Sequence, residues 1–204
     1  EKRMNIAVFA SGRGTNFSAV IRAVKNGKIK ANLTLLVCDN PKAGAIGRAK
    51  RAGIKVVLVE RKDFTTKTDF EAKIIQHLEE NKIDLIVLAG FMHILGPDIL
   101  HEYKERILNI HPALLPSFKG AHGIKDAFDY GVKVTGVTVH FVDDKMDHGP
   151  IILQEAVPIK KDDSLETLKA RIHKVEHKLY YKAIGLFASA KLRIEKKRVK
   201  IVKG

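Results

Sequence analysis

Asn109 and His111 stand two residues apart in the run Asn109-Ile110-His111-Pro112. In an extended strand that spacing turns both side chains to one face and Ile110 to the other. An amide beside an imidazole suits acyl-type transfer. The amide can donate to an oxygen that gains negative charge, and the imidazole can give or take a proton near neutral pH. Pro112 and Pro116 stiffen the loop that follows and keep it out of regular structure. A lone strand-end histidine is more often structural, so the pair needs further groups around it.

A second run, Asp143-Asp144-Lys145-Met146-Asp147-His148-Gly149-Pro150, could deliver a carboxylate beside His111. That charge would stabilise the imidazolium and keep it available as an acid. Taken alone, the run also fits a solvated acidic turn. It lacks the glycine and distal glutamate of a calcium loop. A third run, Ser11-Gly12-Arg13-Gly14-Thr15-Asn16, lies between an apolar segment and a helical one. Its glycines let backbone approach a ligand, and the helix N-terminus that follows offers free N–H groups to a phosphate. Phe17 stands where a dinucleotide fingerprint has its third glycine, although Asp39 occupies the place of a ribose-binding acid. No Gly-Lys-Ser/Thr follows, so the run is no Walker loop. A monophosphate cradle fits best, and a plain tight turn is the alternative. His173-Lys174-Val175-Glu176-His177 has the form of a zinc-peptidase motif, but no third ligand with a supporting motif accompanies it, and no metal is expected.

These runs need a scaffold, and the apolar periodicity predicts one. Buried strands are expected at 5–10, 33–38, 56–59 and 84–89. Helices are expected from the Ser11–Asn16 loop to about 26, at 42–52 and at 68–81, the last with apolar Phe70, Ile74, Ile75 and Leu78. This βαβαβ alternation predicts a doubly wound, mostly parallel sheet with helices on both faces. A short helix near 97–103, a strand at 106–110, a helix near 125–129 and alternating, more exposed strands at 134–141 and 151–157 follow. Asp163 and Ser164, with Thr167 three positions on, read as the start of a long helix. The residues from 191 read as a small hairpin. In such sheets ligands sit at the carboxyl ends of strands, where Ser11–Asn16, Gly90–Leu95 and Asn109–Pro116 all fall and can share one cleft.

At 204 residues the chain can bury a full core, and one domain over 1–204 is expected. Hydrophobic residues at 45% and charged ones at 29% exclude a disordered chain, and no apolar run reaches the roughly 20 residues of a membrane-crossing helix. Ile6–Ala10 is too short for a signal-peptide core, and a single cysteine, Cys38, forms no intramolecular disulfide; a cytoplasmic protein is expected. The net charge of +14 raises the question of nucleic acid. Residues 160–204 carry 14 Lys and Arg against 5 Asp and Glu, and Tyr180, Tyr181 and Phe187 there are placed for packing rather than for stacking on bases. A solvated basic face, with anionic small substrates, is the expectation; neither a nucleic acid nor a membrane is an expected partner.

With these segments assembled, the sequence resembles the phosphoribosylglycinamide formyltransferases from about Met4 to Leu192. The markers, in order, are Ser-Gly-x-Gly-Thr-Asn, Leu-Ala-Gly-Phe-Met, Asn-Ile-His-Pro and Met-Asp-His-Gly-Pro-Ile-Ile. Each is weak alone, but the ordered set is specific. The resemblance implies a formyltransferase-like Rossmann variant that passes a formyl group from 10-formyltetrahydrofolate to the amine of phosphoribosylglycinamide, as a monomer or homodimer. By position it implies that Asn109 steadies the intermediate's oxygen, that His111 moves the proton and that Asp147 tunes His111. It places Gly14, Thr15 and Asn16 on the substrate phosphate and Glu176 at the glycinamide end. Lys67, Met92, His93, Ile94, Leu95, Asn109 and Asp144 fall on the folate side, and His140 supports the intermediate.

His93 and Lys67 stand where relatives usually carry Arg, and His173 where Gln is common; a bidentate Arg contact is not reproduced by Lys or His. Methionyl-tRNA formyltransferase is the nearest rival. It would need a second carboxy-terminal domain, for which some 14 residues after the last expected helix leave no room. Formyltetrahydrofolate hydrolase carries an additional amino-terminal domain. A nucleic-acid-binding module is the rival from another class.

Overall fold

β1 (Met4–Ala10) is the strand around which the first part of the chain is laid down. In the computed structural model, which describes residues 3–202, the chain forms two compact units, 1–108 and 109–204. In the first, β1 is followed by α1 (Thr15–Lys25), β2 (Ala31–Cys38), α2 (Gly44–Arg51) and β3 (Lys55–Leu58). A 3-10 turn (Arg61–Asp63), α3 (Lys67–Glu80), β4 (Leu85–Leu88) and α4 (Pro97–Glu102) come next. β5 (Ile107–His111) begins in this unit and ends in the second. The strand order is β3-β2-β1-β4-β5, and each of these pairings is parallel.

Ile6 to Ala10, Leu35 to Cys38 and Leu85 to Val87 are wholly inaccessible, because helices cover both faces of a parallel sheet. Their continuous apolar runs are the signature of that burial. α3 adds Phe70, Ile74 and Leu78 at helical spacing, all buried, while Ile75 is only half-buried. Thr66 caps this helix by accepting the Asp69 N–H at 3.0 Å.

The second unit holds the end of β5, then α5 (Gly123–Tyr130), β6 (Val134–Phe141), β7 (Ile151–Pro158) and α6 (Leu165–Ala188). The hairpin of β8 (Leu192–Glu195) and β9 (Arg198–Ile201) closes it, in the order β5-β6-β7-β9-β8. β6 and β7 are antiparallel, and β9 joins β7 in parallel through the Ile151–Arg198 pair. Ser164 accepts the Thr167 N–H and Thr167 Oγ1 accepts the Ser164 N–H, so the expected start of α6 is a full capping box.

The α/β class, the mostly parallel sheet with helices on both faces and the terminal hairpin are as expected. Two details differ. β6 is buried at every position after Val134, so the alternation read there as a half-exposed strand reflects small and polar residues, Thr135, Gly136, Thr138 and His140, accepted into an interior. Thr138 shows how: its hydroxyl donates to Ala113 O at 2.7 Å and accepts the Leu115 N–H at 3.1 Å. β5 runs through His111 instead of stopping before it.

The β6–β7 connection leaves no space at its close. A Cβ on Gly149 would lie 1.8 Å from the Phe141 carbonyl oxygen, which is fixed by its place in β6. Gly149→Ala is therefore expected to cost on the order of 3 kcal/mol in chemical denaturation, whereas Ser164→Ala, which removes only the cap of α6, should cost about 1 kcal/mol.

Candidate active site

In the first unit, the candidate segments are the turns that leave β1 and β4. Ser11, buried at the end of β1, ties them together: its N–H donates to Gly90 O at 3.0 Å and its hydroxyl accepts the Met92 N–H at 2.9 Å. Gly14 takes φ +75° at the N-cap of α1, and a Cβ there would meet the Ala45 Cβ at 2.9 Å, so both conformation and space demand glycine. Arg48 from α2 braces the same turn, with Nε donating to Arg13 O and Nη1 to Ser18 Oγ, each at 2.7 Å. No side chain caps α1, so its first N–H groups remain open to an anion. The Asn16 Oδ1 atom is buried without a hydrogen-bond partner beside them. Gly14, Thr15 and Asn16, the expected phosphate cradle, thus stand at an uncapped helix N-terminus.

The Gly90–Gly96 segment is pinned at both ends. Glu71, buried on α3, accepts the Gly96 N–H at 2.6 Å, and its Oε2 sits where a Gly96 Cβ would be, 2.4 Å away. Met92 and Ile94 are left with their side chains exposed, at 77% and 65%, while Leu95 turns inward. His93 faces Asp39, Nε2 to Oδ2 at 2.8 Å, with its ring edge-on to Phe70 and Phe91. Lys67 lies 3.7 Å from Glu71. His93 and Lys67 are thereby each engaged with an acid of their own unit.

In the second unit, Asn109 and His111 share one face of β5 as the spacing requires, and Ile110 takes the other. The structure brings Asp147 to His111, with Oδ2 3.5 Å from Nδ1. His140 on β6 completes the cluster, its Nε2 3.9 Å from Asp147 Oδ1. Asp147 adopts φ +49°, a left-handed conformation that aspartate tolerates, and Gly120 N–H donates to its Oδ2 at 2.8 Å. The Nε2 atom of His111 lies 2.6 Å from Phe118 O. A carbonyl only accepts, so Nε2 carries a hydrogen, and a proton on Nδ1 as well would face the carboxylate. Burial lowers the His140 pKa below its ordinary value, outweighing the Phe141 carbonyl and the Asp147 charge, which favour the cation.

Asp144 is exposed on the same loop. Asp143 is held ionised: burial works against its charge but is outweighed by His148, whose Nδ1 is 2.7 Å away, by the Lys145 N–H and by Lys197. Glu176 is buried on α6 and hydrogen-bonded to His173 Nδ1 at 2.5 Å, so two members of the apparent zinc motif are satisfied by each other. Sequence reasoning missed Ser11 Oγ, Glu71 and the backbone groups of Phe118 and Gly120. Ser11 stood in the Ser-Gly-x-Gly-Thr-Asn run without a role of its own, Glu71 belonged to no motif, and backbone partners have no sequence signal beyond the glycine itself.

The sequence from residue 4 to 184 matches the family model described as formyl transferase. The chain belongs to the formyl transferase family. It is 46% identical over 190 residues to the phosphoribosylglycinamide formyltransferase of Bacillus subtilis (strain 168), covering 93% of this chain and 97% of that protein. The crystal structure of glycinamide ribonucleotide transformylase 1 from Symbiobacterium toebii superposes with a TM-score of 0.96 at 40% identity, covering 98% of this chain and 95% of that one. The chain is also 41% identical, over 94% of its length, to a segment making up 19% of the trifunctional purine biosynthetic protein adenosine-3 of Gallus gallus.

Within this formyl transferase scaffold, His140 sets a pH dependence of its own. Unfolded, it takes up a proton near its ordinary value of 6.5; folded, it does so only at lower pH. The unfolded state therefore binds more protons in that window, and stability falls as pH drops below about 6.5. Denaturant midpoints measured between pH 5 and 7 should show this fall in the wild type and a shallower one in His140→Asn.

Proposed function

We propose that the chain transfers the formyl group of 10-formyltetrahydrofolate to the amine of 5'-phosphoribosylglycinamide, giving the N-formyl product and tetrahydrofolate in purine biosynthesis. The observation that carries this reading is the cluster of Asn109, His111 and Asp147 in a chain that resembles proteins of that name along nearly its whole length. We read residues 1–204 as one catalytic module acting in the cytoplasm, as a monomer or homodimer, without a metal, a nucleic acid or a membrane as partner.

The chemistry asks for few groups. The amine nitrogen attacks the formyl carbon, whose oxygen becomes an oxyanion, and the carbon–N10 bond then breaks as a proton is delivered to N10 and one is lost from the amine. Asn109, half-buried on the same strand face as His111, is an amide able to donate to the oxyanion. His111 carries a transferable hydrogen on Nε2, with Asp147 at Nδ1 to stabilise the charge that forms. The Phe118 carbonyl now accepts that hydrogen, so the step requires residues 118–120 to yield. His140, neutral and with an unpartnered buried Nε2, can accept from the intermediate or from a water.

On the binding side, Gly14, Thr15 and Asn16 would take the phosphate and Glu176 the ammonium or amine end of the acceptor. Met92 and Ile94, both exposed, would offer apolar surface to a pteridine or benzoyl ring; the resemblance also assigns Lys67, His93, Leu95 and Asp144 to donor binding. His93 and Lys67 are engaged with Asp39 and Glu71, so donor binding here would rest more on apolar surface and less on a cationic clamp.

The test is to combine the protein with 10-formyltetrahydrofolate and phosphoribosylglycinamide and follow the folate absorbance, with free glycine and charged tRNA as control acceptors. Transfer to phosphoribosylglycinamide alone is expected. His111→Ala and Asp147→Asn should retain binding of the phosphorylated acceptor while kcat falls by roughly 10²-fold or more. Unchanged turnover in both variants would remove the catalytic assignment.

A further inference from the structure

The basic charge of this chain has two centres. The tail from 160 carries one, and the stretch from Ser11 to Val59 carries the other: 10 Lys and Arg against one acid, Asp39, for a net +9. The central residues 60–159 are acidic. Much of the first centre gathers at a concavity of about 200 Å³ between α1 and α2, to which Ser18, Arg22, Lys25, Arg48 and Arg51 contribute. Neither helix contains a single Asp or Glu. Among the described residues none of these four cations forms an ion pair, in contrast with Lys62, Lys125, Arg171, Lys178 and Lys200, each of which has a carboxylate partner.

Cations in the last turn of a helix are commonly explained by its dipole, but that dipole amounts to only about half a charge per helix end. Here two full charges on each helix meet at one groove, so the excess stands. Arg48 has spent two of its five N–H donors, on Arg13 O and Ser18 Oγ, which leaves a guanidinium edge and the Ser18 hydroxyl hydrogen free to donate. Arg22, Lys25 and Arg51 are exposed around it. We propose that this α1–α2 groove binds a polyphosphate, as the free inorganic chain or as the di- or triphosphate of a nucleotide. The match is one of charge: four cations around one groove suit a ligand that carries several anionic oxygens, to which guanidinium forks donate in pairs. Nucleic acid is disfavoured because the groove has no aromatic side chain on which a base could stack. Through Arg48 the occupant would also touch the Arg13–Gly14 turn, although the proposal does not depend on the function assigned to that turn.

Titration calorimetry at constant ionic strength, with tripolyphosphate as probe, tests this. One equivalent should bind the wild-type chain, at least tenfold more weakly to Arg22→Gln/Arg51→Gln, and unchanged to Asn16→Ala and to the equally charge-reduced Lys30→Gln/Lys42→Gln. Adenosine triphosphate in a second arm separates the sources: tighter binding than tripolyphosphate marks a nucleotide, equal binding an inorganic chain. Absence of binding, an equal loss in the Lys30/Lys42 variant, or a loss in Asn16→Ala would overturn the proposal. So would single-stranded RNA binding the wild type more tightly than tripolyphosphate with the same Arg22/Arg51 dependence.

Discussion

A carboxylate withdrawn from water must be compensated, and in the second unit Asp147 is the carboxylate around which the candidate site is arranged. Its side chain is only 9% exposed; the Gly120 N–H donates to it and the His111 ring lies 3.5 Å away, while the His140 ring stands 3.9 Å off without a hydrogen bond to it. Each of these comes from a different piece of chain, so one carboxylate gathers the 117–122 loop, the end of β5 and the end of β6 around it. The left-handed backbone of Asp147 and the space forbidden to a Cβ at Gly149 belong to the same arrangement, because the loop must turn sharply to bring the carboxylate inward. His140 is the price of that geometry: a buried imidazole whose neutral form is favoured by burial although an acid lies beside it.

The first unit obeys the same rule with different groups. Glu71 holds the Gly96 N–H, Ser11 holds the backbone of Gly90 and Met92, and Arg48 holds the Arg13 carbonyl. Buried or half-buried polar side chains replace regular backbone pairing where the strands end, as buried backbone groups require. Loops fixed in this way can leave apolar Met92 and Ile94 exposed without collapsing onto them. A pre-formed surface of that kind binds a ligand with less ordering of its own atoms.

Charge is distributed with less regard to these sites than the net value of +14 suggests. The site residues lie mainly in or beside the acidic central stretch and at the strand ends, while the two basic centres belong to α1–α2 and to the carboxy-terminal part of the chain. Net charge describes the surface, whereas the candidate chemistry depends on a few groups taken out of solvent.

By itself the sequence determined most of the elements and the common face of Asn109 and His111. Continuous apolar runs required strands covered on both faces, Ser164 and Thr167 required the start of α6, and the two-residue spacing of Asn109 and His111 required a common face, all because these are local consequences of strand and helix geometry. Asp147 was attached to His111 only by resemblance, since no local rule brings together residues 36 positions apart. The tertiary structure decided that distance, the interior placement of β6, the mutual pairing of His173 and Glu176, and the use of Phe118 and Gly120 backbone as partners. It also decided that Arg22, Lys25, Arg48 and Arg51, scattered over 30 residues, border one groove. Hydrogen bonding and burial between distant segments depend on how the chain turns back on itself, and such long-range encounters leave only a faint trace in residue type.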